Sequence, residues 1–244
     1  MVTGAAQGIG RAIAAHLARH GAAVAMLDLN PEALAGAVRE MDPSAGRIVG
    51  VPADVAEMGE LRRAREQVAR QLGGPVDTLI INAGISERCR VDEITEERWR
   101  RVLSVNLDGS FFTYKAFEAD LRAKTSTRKS IVLISSGSAF TGTGGGAHYA
   151  ASKAGQLGLM RSLAQELGPL GITVNAIAPR TINTGILNTL YPTPEQLNRL
   201  IEEIPVRRLG TEGDVAEAVL FLISEGASFI HGQTILVDGG RGLG

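Results

Sequence analysis

Short apolar runs recur along the chain: AAVAML at 22–27, RIVGVPA at 47–53, DTLIIN at 77–82, SIVLIS at 130–135, ITVNAIA at 172–178 and TILVDGG at 234–240. Between them lie longer segments whose apolar residues return with helical spacing. GRAIAAHLARHG at 10–21, PEALAGAVREM at 31–41, ELRRAREQVARQLG at 60–73 and DVAEAVLFLISEG at 214–226 are the clearest. Alternation of strand and helix predicts an α/β domain, a parallel sheet wrapped by helices on both faces. No change in composition, linker or repeat divides the chain, so a single domain over 1–244 is expected. The glycine cluster TGTGGG at 141–146 is too short for a linker.

Composition narrows the classes of function. The 244 residues are 44% hydrophobic and 21% charged, with a net charge of −1. That balance offers no basic excess for nucleic acid or for an anionic membrane surface. No charged-then-apolar leader and no apolar run of about 18 residues is visible. The single cysteine, Cys89, cannot form an internal disulfide and has no second cysteine at metal-ligand spacing. A soluble cytoplasmic protein without a metal is the expectation, with Cys89 an incidental thiol.

Two stretches carry candidate chemistry. In HYAASKAG, residues 148–155, Tyr149 and Lys153 stand four apart and share one helix face. One reading is a surface helix with two unrelated polar residues. The other is chemical: at roughly 5 Å and an effective dielectric of ~20, an ammonium stabilises a phenolate by about 3 kcal/mol, or about two pKa units. That would bring the phenol within reach of proton transfer near neutral pH. The second stretch is the start, MVTGAAQGIGRAIAAHLARHG. Gly4, Gly8 and Gly10 lie between a short apolar start and an amphipathic helix, where a phosphate-binding turn belongs. Gln7 fills the slot before Gly8. Asp28 follows 18 residues after Gly10, close to the separation expected for a ribose-binding acid. An aspartate there accepts from a ribose 2′-hydroxyl and repels a 2′-phosphate, and no basic residue follows in DLNPE. The competing role for Asp28 is a helix cap, for which Asn30 before Pro31 is better suited.

In these motifs, and in others in the same order, the chain resembles the short-chain dehydrogenase/reductase family over nearly its full length. Thr3–Gly10, including Ile9, resembles the family's cofactor turn. ADV (53–55), with Asp54 and Val55, resembles its adenine-binding segment, and NAG (Asn82, Ala83, Gly84) its motif after the fourth strand. VNLDGSF (105–111) carries Asn106, ISSGS (134–138) carries Ser136 and Ser138, and Ser136 lies 13 residues before Tyr149. VNAIAP, then Ile182 and Thr184, then GQTILVDGG complete the pattern.

The resemblance implies a Rossmann-type doubly wound parallel sheet of about seven strands. It implies Tyr149 as acid/base, and Lys153 lowering the phenol pKa and holding the nicotinamide ribose. Ser136 would bond the substrate oxygen, and Asn106 would position a water. The expected cofactor is NAD rather than NADP, and the expected substrate a secondary alcohol or ketone: a small polyol, sugar or hydroxy acid. The first alternative is a reductase of 3-oxoacyl thioesters, a branch that commonly uses NADPH; the second is a non-catalytic nucleotide-binding sensor. Residues 184–210 would form a substrate lid. The helices 99–123 and 147–168 and the strand ILVDGG resemble the family's subunit contacts, implying a homotetramer.

Two positions depart from the family. Only Met1 and Val2 precede Thr3-Gly4, leaving a very short first strand that should lie at the sheet centre, as though the start were mis-assigned or residues upstream were missing. Pro179 is followed by Arg180 where the family has glycine near the nicotinamide. Arg180 is expected either to point to solvent or pair with Glu202 or Glu203, or to face an anionic substrate.

Overall fold

The computed structural model describes residues 1–41, 46–124, 128–183 and 193–243. Seven parallel strands form one sheet in the order β3-β2-β1-β4-β5-β6-β7. They are β1 (Val2–Thr3), β2 (Val24–Asp28), β3 (Ile48–Pro52), β4 (Thr78–Ile81), β5 (Lys129–Ile134), β6 (Ile172–Pro179) and β7 (Thr234–Val237). The chain builds outward from β1 to one edge, returns to β4, and builds outward to the other. The expected doubly wound α/β domain is therefore observed.

Helices connect the strands. They are α1 (Gly8–Arg19), α2 (Pro31–Met41), α3 (Met58–Leu72), α4 (Glu96–Leu103), α5 (Gly109–Arg122), a short α6 (Ser138–Thr141), α7 (Ala147–Leu167), α8 (Pro194–Glu202) and α9 (Glu212–Ile223). Their starts follow local chemistry. Asn30, not Asp28, caps α2: its Oδ1 accepts from the amides of Glu32 (3.1 Å) and Ala33 (3.0 Å). Thr211 and Asp214 form a reciprocal capping box on α9. No helix among the described residues is long and apolar enough to cross a membrane.

Successive strand residues face opposite helical layers. Val24, Met26, Ile80, Val132 and Ile134 pack in a core with Ile13, Leu34 and Val219. Ala25, Leu27, Leu79, Ile81, Ile131 and Leu133 pack in the other, with Leu61, Phe117 and Leu157. The apolar runs are continuous because both faces of this sheet are covered.

The two-residue β1 is an interior strand, third of the seven, paired on both sides and next to the central β4. Val2 pairs with Met26 on one side and Ile80 on the other. Pairing continues past its ends, where the Ile80 amide donates to Met1 O (2.8 Å) and the Ala5 amide to Leu27 O (3.1 Å). Between α4 and α5 lies a five-residue π-helical segment, Ser104–Asp108. Its extra residue re-aims one side chain, that of Asn106, into the interior.

Candidate active site

Strand order reverses between β1 and β4, and the crevice beyond their carboxyl ends is where an open α/β sheet receives a ligand. The glycine turn forms one wall. Gly4 and Gly8 have φ of 62° and 60°, the left-handed region. A methyl on Gly10 would lie 2.1 Å from Gly4 O and 2.5 Å from Asn82 Nδ2, so no side chain fits there. Gln7 caps α1 in an extended conformation with no side-chain bond to the helix. The first amides of α1, Ile9 and Gly10 among them, thus keep their donors for an anion. Asn82 locks this wall to β4: its Nδ2 donates to Thr3 O (2.9 Å) and Gly4 O (3.0 Å). Thr3 Oγ1 accepts from the amides of Asn82 and Ala83, both at 3.0 Å.

Asp28 ends β2 beside this turn. Its Oδ2 accepts from the Ala6 amide (3.0 Å) and its Oδ1 from the Asn30 amide (3.1 Å). Each oxygen keeps a lone pair for a further donor. Asp54 Oδ1 accepts from the Ala56 amide (2.9 Å), and its own amide donates to Glu60 Oε2 (2.8 Å). Val55 is buried and packs on Gly109, where a methyl would lie 2.8 Å from Val55 Cγ2. Ile182 is buried and bridges Gly210. Thr184 and the lid residues 184–192 lie outside the described residues. Open amides on a glycine turn, which donate, and a carboxylate at the end of β2, which accepts, together fit a dinucleotide.

The second wall is α7, with the end of β5. Tyr149 and Lys153 share a face, as their spacing predicts, and Lys153 Nζ is 5.8 Å from the centre of the phenol ring. Nζ donates to Ile134 O (2.8 Å), and Ser135 Oγ donates to Lys153 O (2.9 Å). Both ionisable groups are disfavoured by burial. Desolvation pushes the Lys153 ammonium from its ordinary range down to about 7. It also pushes the Tyr149 phenol above its ordinary value, with the Ser136 hydroxyl beside it pulling the other way. The expectation that Lys153 would lower the phenol pKa is thus corrected. Removal from water costs the phenolate more than its surroundings return.

Asn106 joins the two walls. Its Oδ1 accepts from the Ile85 amide (2.8 Å), while Nδ2 donates to Ile85 O (2.9 Å) and Ser152 Oγ (2.9 Å). Ser152 Oγ donates in turn to Tyr149 O (2.8 Å). Asn106 O accepts from Gln156 Nε2 (2.9 Å) and Ser110 Oγ (2.6 Å). The side chain braces the loop after β4 against α7, and a water held by it would use the remaining lone pair of Oδ1. A methyl on Gly84 would lie 3.2 Å from Asn106 Oδ1 and 3.3 Å from Lys153 Nζ, so the Asn82–Gly84 segment borders both. Ser152 and Gln156 escaped the sequence reading. Their signal was present, since 149, 152, 153 and 156 follow the i, i+3, i+4, i+7 rule for one helix face.

The rim is made of close approaches. Ser136 Oγ accepts from the Ser138 amide (3.1 Å). A methyl on Gly145 would lie 2.4 Å from Tyr149 Cδ1 and 2.6 Å from Ser86 Oγ, so the chain crosses directly over the phenol. Ser138 Oγ would be 3.0 Å from a methyl on Gly144. Arg180 lies across Gly137, between Ser136 and Ser138. Cys89 is not isolated: its Sγ is 3.8 Å from Nε2 of the buried His148.

The chain is similar to known proteins over nearly its whole length. Residues 4–241 match the family model described as enoyl-(acyl carrier protein) reductase. The chain is 38% identical to the (3R)-3-hydroxyacyl-CoA dehydrogenase of Canis lupus familiaris, over 98% of this chain and 94% of that protein. It is also 38% identical to the 3-oxoacyl-acyl-carrier-protein reductase MabA of Mycobacterium avium, over 100% of this chain and 89% of that protein. Among solved structures, a glucose/ribitol dehydrogenase-type protein from Brucella melitensis superposes with a TM-score of 0.90 at 33% identity, covering 98% of this chain and 94% of that one.

Proposed function

The chain belongs to the short-chain dehydrogenase/reductase family, and we propose that within it the protein interconverts a secondary alcohol and a ketone with NAD(H), on a small polyol, sugar or hydroxy acid. One observation carries the reading. The Tyr149 phenol lies beside the Ser136 hydroxyl, with the buried Lys153 5.8 Å from its ring. When bound, the nicotinamide supplies or takes the hydride.

The remaining work falls to the chain's own groups. Tyr149, held neutral by burial, donates its proton to the ketone oxygen during reduction and recovers it during oxidation. Ser136 donates a hydrogen bond to that oxygen as negative charge develops on it. Lys153, with a pKa of about 7, holds or releases a proton near neutral pH. When protonated it can hold the nicotinamide ribose. The α1 amides and the glycine turn would take the pyrophosphate, with Asp54, Val55 and Asn82–Gly84 at the adenine and nicotinamide ends and Ile182 beside the nicotinamide.

Asp28 supports NAD over NADP, because its carboxylate at the end of β2 would repel a 2′-phosphate. Comparing kcat/KM with the two cofactors tests this, and equal or better use of NADP overturns it. A screen of secondary alcohols with NAD, followed by absorbance of the reduced cofactor, tests the whole reading; no turnover of any alcohol or ketone would refute it. The second reading, reduction of 3-oxoacyl thioesters, is favoured by the two relatives at 38% identity that act on acyl chains. Turnover of acetoacetyl-CoA above that of every free alcohol or ketone would select it. A nucleotide-binding sensor needs only the glycine turn, and the intact polar cluster around Tyr149 weighs against it.

A homotetramer is part of the proposal. Trp99 and Phe111 are 39% and 43% exposed on the 99–123 segment, and Leu236 is 44% exposed on β7. These exposed apolar side chains lie on the segments expected to pair. A cytoplasmic location is supported by the lone cysteine.

A further inference from the structure

Arg180 follows β6 at the rim of the candidate site. Its amide donates to Val237 O (3.1 Å), and the preceding Pro179 O accepts from the Gly137 amide (3.0 Å). The second bond ties the strand end to the residue between Ser136 and Ser138. The side chain then runs along that residue. A methyl on Gly137 would lie 2.9, 3.0 and 3.1 Å from Cβ, Cδ and Cγ of Arg180. The aliphatic stem therefore rests on a glycine that only its missing Cβ makes accessible, and much of its rotamer freedom is already lost.

The guanidinium at the end of this stem has no hydrogen bond or ion pair among the described residues. Carboxylates on the described segments that follow are engaged elsewhere. Glu203 Oε2 binds Arg241 Nη2 (2.6 Å), and Asp214 takes Arg208 through both oxygens (2.7 and 2.9 Å). Asp238 accepts from the amides of Gly240 (2.9 Å) and Gly242 (2.7 Å). The sequence expectation that Arg180 pairs with Glu202 or Glu203 is thus not realised. The neighbouring stretch 184–192, TGILNTLYP, contains no aspartate or glutamate to supply a partner. A half-buried arginine with its stem held on the glycine next to the proposed oxygen-binding serine, and with five donors that meet no partner among the described residues, suits a planar anion.

We propose that Arg180 binds a carboxylate carried on the substrate, so that the enzyme acts on small hydroxy acids and their keto acids rather than on neutral polyols. The inference rests on the dehydrogenase reading above. The carboxylate is a handle and takes no part in the redox step: the carbinol carbon gives up a hydride and its hydroxyl a proton, while the guanidinium grips the acid through two parallel N–H···O bonds.

The test uses the intact protein and its Arg180→Gly and Arg180→Lys variants. Lactate, 3-hydroxybutanoate and gluconate are each compared with their methyl esters as substrates. The expected result is a wild-type preference for at least one acid over its ester. The acid-to-ester ratio of kcat/KM should fall about ten- to a hundredfold in Arg180→Gly, with partial recovery in Arg180→Lys. An unchanged ratio overturns the proposal while leaving the dehydrogenase reading intact. If no alcohol is oxidised, that reading fails and binding alone decides. Succinate, which has no hydroxyl to oxidise, is then titrated in thermal denaturation with NAD present. A stabilisation of the wild type that disappears in Arg180→Gly keeps the anion site, and identical shifts in the two proteins dismiss it.

Discussion

Lys153 is the position at which burial and function conflict most measurably. Its ammonium titrates near 7 in the folded protein because of desolvation, against about 10.4 in an unfolded chain. Between these values the unfolded chain binds more protons than the folded one. Stability therefore rises with pH across the window, and it is lost as pH falls toward 7. The term amounts to about 4 kcal/mol at pH 7, and it relaxes by about 2 kcal/mol between pH 7 and pH 9. Lys153→Met keeps the unbranched chain and removes the charge. It also removes the bond to Ile134 O (2.8 Å), a loss of about 1–3 kcal/mol that does not vary with pH. The methionine variant is expected to be inactive yet more stable than wild type at pH 7, with an advantage that shrinks by about 2 kcal/mol by pH 9. For 244 residues that corresponds to about 4 °C in Tm. Urea denaturation of both proteins from pH 6.5 to pH 9 measures the difference, in which every other titrating group cancels. Tyr149 does not interfere, since burial moves its titration above 10. A wild-type-minus-variant difference that is flat in pH, or that moves the other way, would refute a desolvated ammonium.

Tyr149→Phe should lower kcat by well over tenfold while calorimetry still detects cofactor binding; retention of more than a tenth of the rate would remove the proton-transfer role. Gly145→Ala is expected to displace the phenol, because the new methyl would meet Tyr149 Cδ1 at 2.4 Å. Its kcat should drop at least tenfold with Tm changed by only a few degrees, and an unaltered kcat would show that the loop yields instead. Light scattering should report four copies of the 25.7 kDa chain, and a single-chain mass at micromolar concentration would refute the tetramer.

Much of this architecture was legible in the order of residues, because it depends on local periodicity. The apolar runs marked the strands, and 3.6-residue spacing marked the helices between them. The turn needed glycine at 4, 8 and 10, Asn30 outranked Asp28 as a cap, and Tyr149 met Lys153 one helical turn on. Other features come from pairings far apart in the chain, which no local period encodes. Asn106 finds Ser152 across 46 residues, and Asn82 finds Gly4 across 78. The π-helical segment that aims Asn106 inward breaks the regular helical count, so the sequence pattern left it unmarked. The acid–base pair shows the division most plainly. Sequence alone determined that a phenol and an ammonium share a helix face, and Coulomb's law then argued for a lowered phenol pKa. Only the tertiary structure decided how much water each retains. Burial of both groups reversed the direction for Tyr149 and brought Lys153 to about 7, because desolvation is set by everything packed around a charge and not by its neighbour one turn away.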